Sequence, residues 1–296
     1  MKSVSIIGVG RVGGALALAL CEKGYRIENL ISHNIENASK IAEQISSSPG
    51  IKTLQNFQIT SEDIIFIAVQ DSEIKNVVEK LTQNPPKNET FFFHTSGSLS
   101  SEVLSLLKNN KCKTGSIHPL VSISDSFIGV KRFKDSYFCV EGDSEAVKIA
   151  EKIVEDLGGK SFSIETKYKT LYHASAVTAC GHFAALINTA AEMLETCGIK
   201  KSEAKKILMP LVKSTFENME EQSFAEALTG TFARGDLETL EKHIETLKEN
   251  ATREQAAIYL LLGEQSLKLA GEQGINKNTL EKMTKKISLA KKNFRC

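Results

Sequence analysis

A glycine-rich turn near the N-terminus has the spacing of a phosphate-binding loop. Residues 4–20 read VSIIGVGRVGGALALAL, with Gly8, Gly10 and Gly13 between an apolar run and an alanine- and leucine-rich segment. In a dinucleotide-binding fold these glycines permit, in turn, the tight turn, the approach of the pyrophosphate and close helix–strand packing. A helix starting near Arg11 would direct free N–H groups at the phosphate. We predict a dinucleotide site here; the alternative is a packing turn between two buried elements.

The residues after the second predicted strand favour NADP over NAD. An acidic residue about 20 positions after the glycines would bind the ribose diol of NAD, but this stretch reads Ser32, His33 and Asn34. These residues offer hydrogen bonds and one potential cation, with no carboxylate to repel a phosphate, and Arg11 could lie over the same pocket. Ser32 and Asn34 would equally serve to cap the next helix.

Three motifs end predicted strands at the edge where ligands bind in open parallel sheets; they are AVQDS (68–72), HTSGS (94–98) and SIHPL (116–120). Gly97 could pass close to a nicotinamide, while Thr95 and Ser96 donate hydrogen bonds to cofactor or substrate. His118 precedes a proline, is therefore held extended, and could face the cleft. The alternatives are a serine-capped turn and a structural histidine. The predicted cofactor-binding residues are Gly8, Gly10, Arg11, Val12, Gly13, Ser32, His33, Val69, Thr95 and Gly97.

The segment KYKTLYHASAV carries candidate acid–base residues. Lys169 and His173 are four residues apart, so they share one face of a helix, with Tyr172 beside them. Reduction of a carbonyl group needs a proton donor for the developing alkoxide, which a lysine or histidine in a dry cleft can supply. Alternatively, Lys169 lies at the surface and His173 makes a core contact.

The segment LTGTFARGD, residues 228–236, carries a candidate substrate-binding arginine. The fork of Arg234 could clamp a carboxylate, with Asp236 nearby. The two side chains could instead form an ion pair that holds the turn together.

The composition excludes several classes of partner. Lysine and arginine number 37 against 36 aspartate and glutamate, so no global field draws the chain onto nucleic acid or a membrane surface. No run approaches the roughly 18 apolar residues of a membrane span, and no leader precedes the first strand, so we expect a cytoplasmic protein. The six cysteines lack metal-ligand spacing, which predicts no metal site and reduced, buried thiols.

The order of predicted elements indicates two domains. Apolar β-branched runs alternate with segments of helical period up to residue 165, which predicts an α/β domain, 1–165, with a mainly parallel sheet covered on both faces. Residues 166–296 read at helical period and predict an all-α domain. Its first helix, roughly 30 residues ending at Gly198, is apolar on most of its surface, and we expect a central core helix.

Six motifs in this order resemble one family; they are GVGRVG, AVQDS, HTSG, HPL, YHASAV and LTGTFARGD. The chain is similar to the branch of the ketopantoate reductase and β-hydroxyacid dehydrogenase superfamily in which a Rossmann-like domain precedes a helical domain of the 6-phosphogluconate dehydrogenase type. The resemblance implies NADPH-dependent reduction of 2-dehydropantoate (ketopantoate) to pantoate in pantothenate biosynthesis. Lys169 matches the catalytic lysine of related enzymes, and His173 stands where they carry asparagine. Ser96 and His118 would orient the substrate, and relatives form homodimers through the helical domain.

Two positions depart from the family pattern and leave the substrate open. The family tends to read YHAAxxxASN on this helix, where Cys180 and Gly181 replace the last pair, and Thr231 replaces a proline in LTGP. The absence of the amide side chain at Gly181 favours a protein that binds NADP to sense it without turnover. Another alternative is a reductase of an imine, such as pyrroline-5-carboxylate, or of another oxo acid.

Overall fold

The computed structural model describes residues 2–109 and 111–294. The chain separates into two compact units, Met1–Cys180 and Gly181–Cys296. The first unit contains a sheet with helices, and the second unit is helical.

Eight strands in the described residues form one sheet in the first unit, in the order β3-β2-β1-β4-β5-β6-β7-β8. All neighbouring pairs are parallel except β6 and β7, which are antiparallel. The strands are β1 (Ser3–Ile7), β2 (Arg26–Ile31), β3 (Gly50–Lys52), β4 (Ile64–Ile67), β5 (Thr90–His94), β6 (Cys112–Pro119), β7 (Tyr137–Gly142) and β8 (Lys160–Phe162).

The helices follow the sequence pattern closely in the first unit. There the α-helices are α1 (Arg11–Glu22), α2 (Ile35–Ala42), α3 (Asp71–Thr82), α4 (Ser126–Gly129), α5 (Ser144–Asp156) and α6 (Lys169–Val177). Short 3₁₀ helices cover Ser101–Leu107, Val130–Arg132 and Thr166–Tyr168, and a π-helical segment, Thr178–His182, follows α6.

The sheet is buried on both faces because its strands are apolar at nearly every position. Every residue of β1 and β4 is buried. Side chains that alternate along one strand enter two different cores, so Ile6 packs with Leu16 and Ile153 on one face, while Ile7 packs with Val77 on the other. The predicted fold, a Rossmann-like domain with a mainly parallel sheet followed by a helical region, is confirmed.

The second unit is built from helices alone in its described residues. They are α7 (Phe183–Thr196), α8 (Lys201–Glu221), α9 (Phe224–Ala227), α10 (Thr231–Arg234), α11 (Leu237–Asn250), α12 (Arg253–Glu272) and α13 (Lys277–Phe294). Leu240, Leu260, Met283 and Ile287 are buried and form the centre of the core between α11, α12 and α13.

The expectation of a central core helix after the sheet is wrong. Helical structure does extend to Thr196, but Lys169 is the one buried residue of α6 and Ala191 is the one buried residue of α7. An apolar composition indicates that a helix surface favours burial. It does not show whether that surface is buried by the same chain or by another molecule.

The thiols are only partly as expected. Cys112 and Cys139 are buried, Cys21 is half-buried, and Cys180 and Cys197 are exposed; all five are free thiols. The sixth, Cys296, lies outside the described residues. Within residues 2–109 and 111–294, no group of His, Cys, Asp and Glu side chains could hold a metal ion, and no helix is long and apolar enough to cross a bilayer.

Candidate active site

A cavity of about 400 Å³ lies at the carboxyl ends of β1, β2 and β4, where the glycine-rich turn joins α1. Of the predicted cofactor-binding residues, five line it, namely Gly8, Gly10, Ser32, His33 and Val69. The other five, Arg11, Val12, Gly13, Thr95 and Gly97, are not among its lining residues. One carboxylate, Glu73 of α3, also lines this cavity.

The three glycines of the turn have different surroundings. Gly8 has φ +97°, and a Cβ there would lie 2.5 Å from the carbonyl oxygen of Ala68. A Cβ at Gly13 would overlap the carbonyl oxygen of Gly8, so both glycines are required by packing. A Cβ at Gly10 would meet nothing within 4 Å, and no side chain caps the first turn of α1. The open space beside free helix N–H groups fits the pyrophosphate of a dinucleotide.

The residues that follow β2 include one that caps the next helix and two that face the cavity. Asn34 caps α2, because its side chain accepts a hydrogen bond from the backbone N–H of Asn37 at 2.9 Å. The hydroxyl of Ser32 accepts a hydrogen bond from the N–H of Asn34 at 3.1 Å. His33 is exposed on the cavity wall. Asn34 therefore serves the helix, and Ser32 and His33 remain available to a ligand.

A buried ion pair connects α6 to the sheet. The Lys169 side chain is 1% exposed, and its Nζ donates hydrogen bonds to Glu141 Oε1 at 2.7 Å and to Ser116 Oγ at 2.5 Å. Ser101 donates two more hydrogen bonds to Glu141, from its backbone N–H and its hydroxyl, each at 2.8 Å. Burial raises the pKa of Glu141, but the Lys169 charge and these hydrogen bonds outweigh it and hold the pKa below its ordinary value.

Three aromatic side chains meet beside this ion pair. His118, at the end of β6, forms a 2.7 Å hydrogen bond through Nδ1 with the hydroxyl of Tyr172. The rings of His118 and His173 have centroids 5.8 Å apart in an edge-on arrangement. A Cβ at Gly97 would lie 2.5 Å from His173 Cδ2 and 2.6 Å from His118 Nε2. A side chain at Gly97 would thus overlap these two imidazoles, and the approach of a nicotinamide to this glycine stays a prediction.

Burial keeps two histidines at this edge, His118 and His94, neutral. The pKa of His118 is lowered to about 4 by burial, and the neighbouring His173 and Lys169 lower it further. The pKa of His94, which is fully buried at the end of β5, is also lowered to about 4, by burial and then by Lys169. Burial raises the pKa of Tyr172 above its ordinary value. At neutral pH the imidazoles of His118 and His94 are therefore neutral, and Tyr172 is a protonated phenol.

The HTSGS turn is organised by its own serines. Ser96 is buried, and its hydroxyl accepts hydrogen bonds from the backbone N–H groups of Ser98 and Leu99 at 3.2 and 3.0 Å. The Ser98 hydroxyl donates to Asp71 at 2.5 Å. The serine-stabilised turn that we considered as an alternative is present, and Thr95 stands half-buried before it.

The predicted substrate-binding residues lie in the second unit. Asp236 caps α11, accepting hydrogen bonds from the N–H and hydroxyl of Thr239 at 3.0 and 2.7 Å. Arg234 is exposed and makes no ion pair with Asp236. The binding of a substrate carboxylate by Arg234 stays a prediction.

Sequence reasoning missed the carboxylate that pairs with Lys169. Glu141 stands in the otherwise apolar strand segment SYFCVEG, and a charge in a buried strand needs a partner. That signal was available, although its partner, 28 residues away, was not identifiable from spacing. The contact of Tyr172 with His118 was missed as well.

Family models match both parts of the chain. Residues 1–119 match a Rossmann-like domain, and residues 136–266 match a family described as a domain of unknown function, DUF2520. The comparison with curated proteins gives no match.

Solved structures share this architecture over nearly the whole chain. A protein from Thermotoga maritima is 25% identical, with a TM-score of 0.71 and coverage of 91% of this chain and 99% of that one. A protein from Bacteroides fragilis, provisionally named an NADP oxidoreductase, is 22% identical, with a TM-score of 0.71 and coverage of 90% and 97%. An imine reductase from Pseudomonas sp. is 17% identical, with a TM-score of 0.61 and coverage of 96% and 99%. The chain thus has a Rossmann-like domain followed by a DUF2520 match, in a fold that these proteins share.

Proposed function

We propose that this chain is an NADP-dependent reductase of a small 2-oxo acid, and that the acid is 2-dehydropantoate, reduced to pantoate in pantothenate biosynthesis. The observation that carries the proposal is the open space at Gly10 at the same sheet edge as the cluster of His118, Tyr172 and His173. The open space at Gly10 fits a dinucleotide phosphate, and the cluster holds a neutral imidazole, His118, and a protonated phenol, Tyr172. The motif resemblance and the fold shared with an NADP oxidoreductase support the same function.

The cavity residues would hold the cofactor. The backbone at Gly10 and the first turn of α1 would bind the pyrophosphate, and Ser32 and His33 would bind the 2′-phosphate of the adenosine ribose. When bound, NADPH supplies a hydride to the substrate. The absence of a carboxylate at the end of β2 supports NADP over NAD, because an acidic residue there would repel the 2′-phosphate.

The residues in and around the cluster of His118, Tyr172 and His173 have two proposed roles, which are binding the substrate and holding the surrounding elements in place. No residue of the described chain forms a hydrogen bond with the ring of His173, which is half-buried, so its nitrogens are available to a substrate oxygen. We assign Lys169 to holding α6, since its ammonium group is enclosed by Glu141 and Ser116. Ser96 likewise shapes the turn that carries Gly97. Arg234 remains our candidate for the cation that binds the substrate carboxylate.

A homodimer is part of the proposal. Large apolar side chains on α8 are exposed by 43% or more, namely Ile207, Met209, Leu211 and Phe216. An apolar surface of this kind favours burial against a partner, and a second copy is the partner that the motif resemblance implies. Light scattering of the purified protein tests it: a dimer mass supports the assembly, and a monomer mass at micromolar concentration contradicts it.

Nicotinamide absorbance tests the reductase. The purified chain is mixed with NADPH and 2-dehydropantoate, with NADH and a cyclic imine as parallel reactions. Steady NADPH consumption with the oxo acid supports the proposal. Turnover of the imine alone would assign the other reductase class, and NADPH binding without turnover of any substrate would identify an NADP-binding protein that is not a reductase. Binding lost in Gly10→Val would identify the cavity as the site used.

A further inference from the structure

We propose that Tyr172 is the proton donor of this reductase and that His118 positions its hydroxyl group. The inference rests on the proposed function, and it replaces Lys169 as the source of the proton. Tyr172 and His118 are both partly exposed, whereas Lys169 is 1% exposed. A catalytic acid has to reach the reacting oxygen, and only the first two side chains are open to a ligand.

The phenol of Tyr172 is held from two sides. Its hydroxyl oxygen lies 2.7 Å from His118 Nδ1, and the two rings meet edge-on with centroids 5.5 Å apart. The ring of Phe162 packs against it as well, with centroids 5.8 Å apart. These contacts leave the hydroxyl little freedom, which is the condition for a preorganised proton donor.

The remaining contacts of α6 fix this arrangement to the sheet. Lys169, three residues before Tyr172, is bonded to Glu141 on β7 and to Ser116 on β6. His118 stands two residues after Ser116 on the same strand. The ion pair therefore sets the distance between the helix that carries the phenol and the strand that carries the imidazole. Gly97 provides the space that the His118 ring occupies.

In the proposed reduction, the reduced nicotinamide cofactor supplies the hydride and Tyr172 supplies the proton. The carbonyl carbon gains a hydride and its oxygen becomes an alkoxide. The O–H bond of Tyr172 breaks, and the new O–H bond forms on that oxygen, because an alkoxide is a stronger base than a phenolate. The phenolate accepts a hydrogen bond from Nδ1–H of His118. Water returns the proton when the product leaves.

The charge state of His118 fits a positioning role. Its pKa is about 4, so the ring is neutral at pH 7 and carries one proton. With that proton on Nδ1, the imidazole donates to the phenol oxygen, and the phenol O–H is directed to the substrate. His118 thus acts through Tyr172, while Tyr172 contacts the reacting oxygen.

Tyr172→Phe tests the proposal, with Tyr168→Phe as the matched control. The first variant keeps the ring contacts and removes the hydroxyl; the second makes the same change at an exposed tyrosine immediately before α6. We expect turnover in Tyr172→Phe to fall by about 100-fold or more, the usual contribution of a general acid. The Kd for NADPH should stay within about twofold, and Tyr168→Phe should match the parent protein. Turnover in Tyr172→Phe within about threefold of the parent would overturn the inference.

A second readout does not depend on turnover. Nitrogen-15 NMR of the histidine side chains should show the His118 proton on Nδ1 in the parent protein and a changed Nδ1 shift in Tyr172→Phe, with no change in Tyr168→Phe. An unprotonated Nδ1 in the parent would overturn the arrangement. If Tyr172→Phe does not fold, His118→Asn replaces it, and we expect a loss of about tenfold or more in turnover. A parent protein that binds NADPH but reduces neither oxo acids nor imines would remove the proposed function and this inference together.

Discussion

Replacing Lys169 by methionine removes a buried charge and keeps most of the side-chain volume. Lys169 and Glu141 are 1% and 8% exposed, so neither charge is solvated in the folded chain. Loss of one member of such a pair costs about 3 to 5 kcal/mol, because the other charge stays buried without its partner. Glu141 retains its two hydrogen bonds from Ser101. We therefore expect Lys169→Met to lower the free energy of unfolding by about 3 kcal/mol.

The matched control is Lys167→Met, two residues earlier in the chain. Its ion pair with Glu165 is 63% and 67% exposed, and exposed pairs contribute less than about 1 kcal/mol. Glu141→Gln and the double variant complete a cycle. We expect a coupling free energy of about 2 kcal/mol, because in the double variant no charge is left unpaired.

Urea unfolding followed by tyrosine fluorescence measures these differences. The chain has five tyrosines and no tryptophan, and among the tyrosines only Tyr259 lies in the second unit, so the signal reports mainly on the first unit. The reasoning would be refuted if Lys169→Met lowered the free energy of unfolding by less than about 1 kcal/mol, or if the effects of Lys169→Met and Glu141→Gln were simply additive.

Three further predictions concern the glycine-rich turn, the buried His94 and the N-terminal cap of α11. Gly10→Ala should leave the melting temperature unchanged and weaken NADPH binding about tenfold in calorimetry. Gly8→Ala should mainly destabilise the fold, because Gly8 has φ +97° and its Cβ would lie 2.5 Å from a carbonyl oxygen. Equal melting temperatures for the two variants would contradict this reasoning. The pKa of His94 falls from 6.5 to about 4 on folding, so the unfolded chain binds more protons in this window. His94 should therefore contribute up to about 3 kcal/mol to the loss of stability in urea as pH drops from 6.5 towards 4. His94→Gln should remove this contribution and make the curve shallower, while His118, whose pKa is also lowered to about 4, still contributes in the same window. Asp236→Ala removes the cap that binds Thr239 and should cost the second unit about 1 kcal/mol in urea unfolding, with no change expected in NADPH affinity.

The sequence predicted the features that depend on neighbours in the chain. The glycine spacing identified the turn because tight turns and close packing exclude Cβ atoms at Gly8 and Gly13 whatever the rest of the fold does. The alternation of apolar runs with helical segments predicted the parallel sheet, since β-α-β connections bury strands on both faces. Both patterns depend on residues close together in the chain, so both could be recognised in the sequence.

The residues of the site and their contacts could be predicted only in part from the sequence. His118, His173 and Gly97 were chosen for their residue types, and the structure brings them together. Gly97 was predicted to contact the cofactor, and that role stays a prediction; the two imidazoles beside it were not identifiable from the sequence. Ser96 was predicted to contact the ligand, and that contact stays a prediction; its hydroxyl also stabilises its own turn, as short polar side chains often do.

The sequence by itself determined the alternation of strands and helices, the glycine-rich turn and the residue types available for chemistry. Only the tertiary structure decided that Lys169 is enclosed by a carboxylate 28 residues away and that Tyr172 meets His118 from 54 residues away. It also decided that the apolar helix following the sheet is largely exposed in the single chain. The physical reason is that periodicity and spacing report contacts within a helix or strand, whereas the environment of a charge depends on which distant segments pack against it.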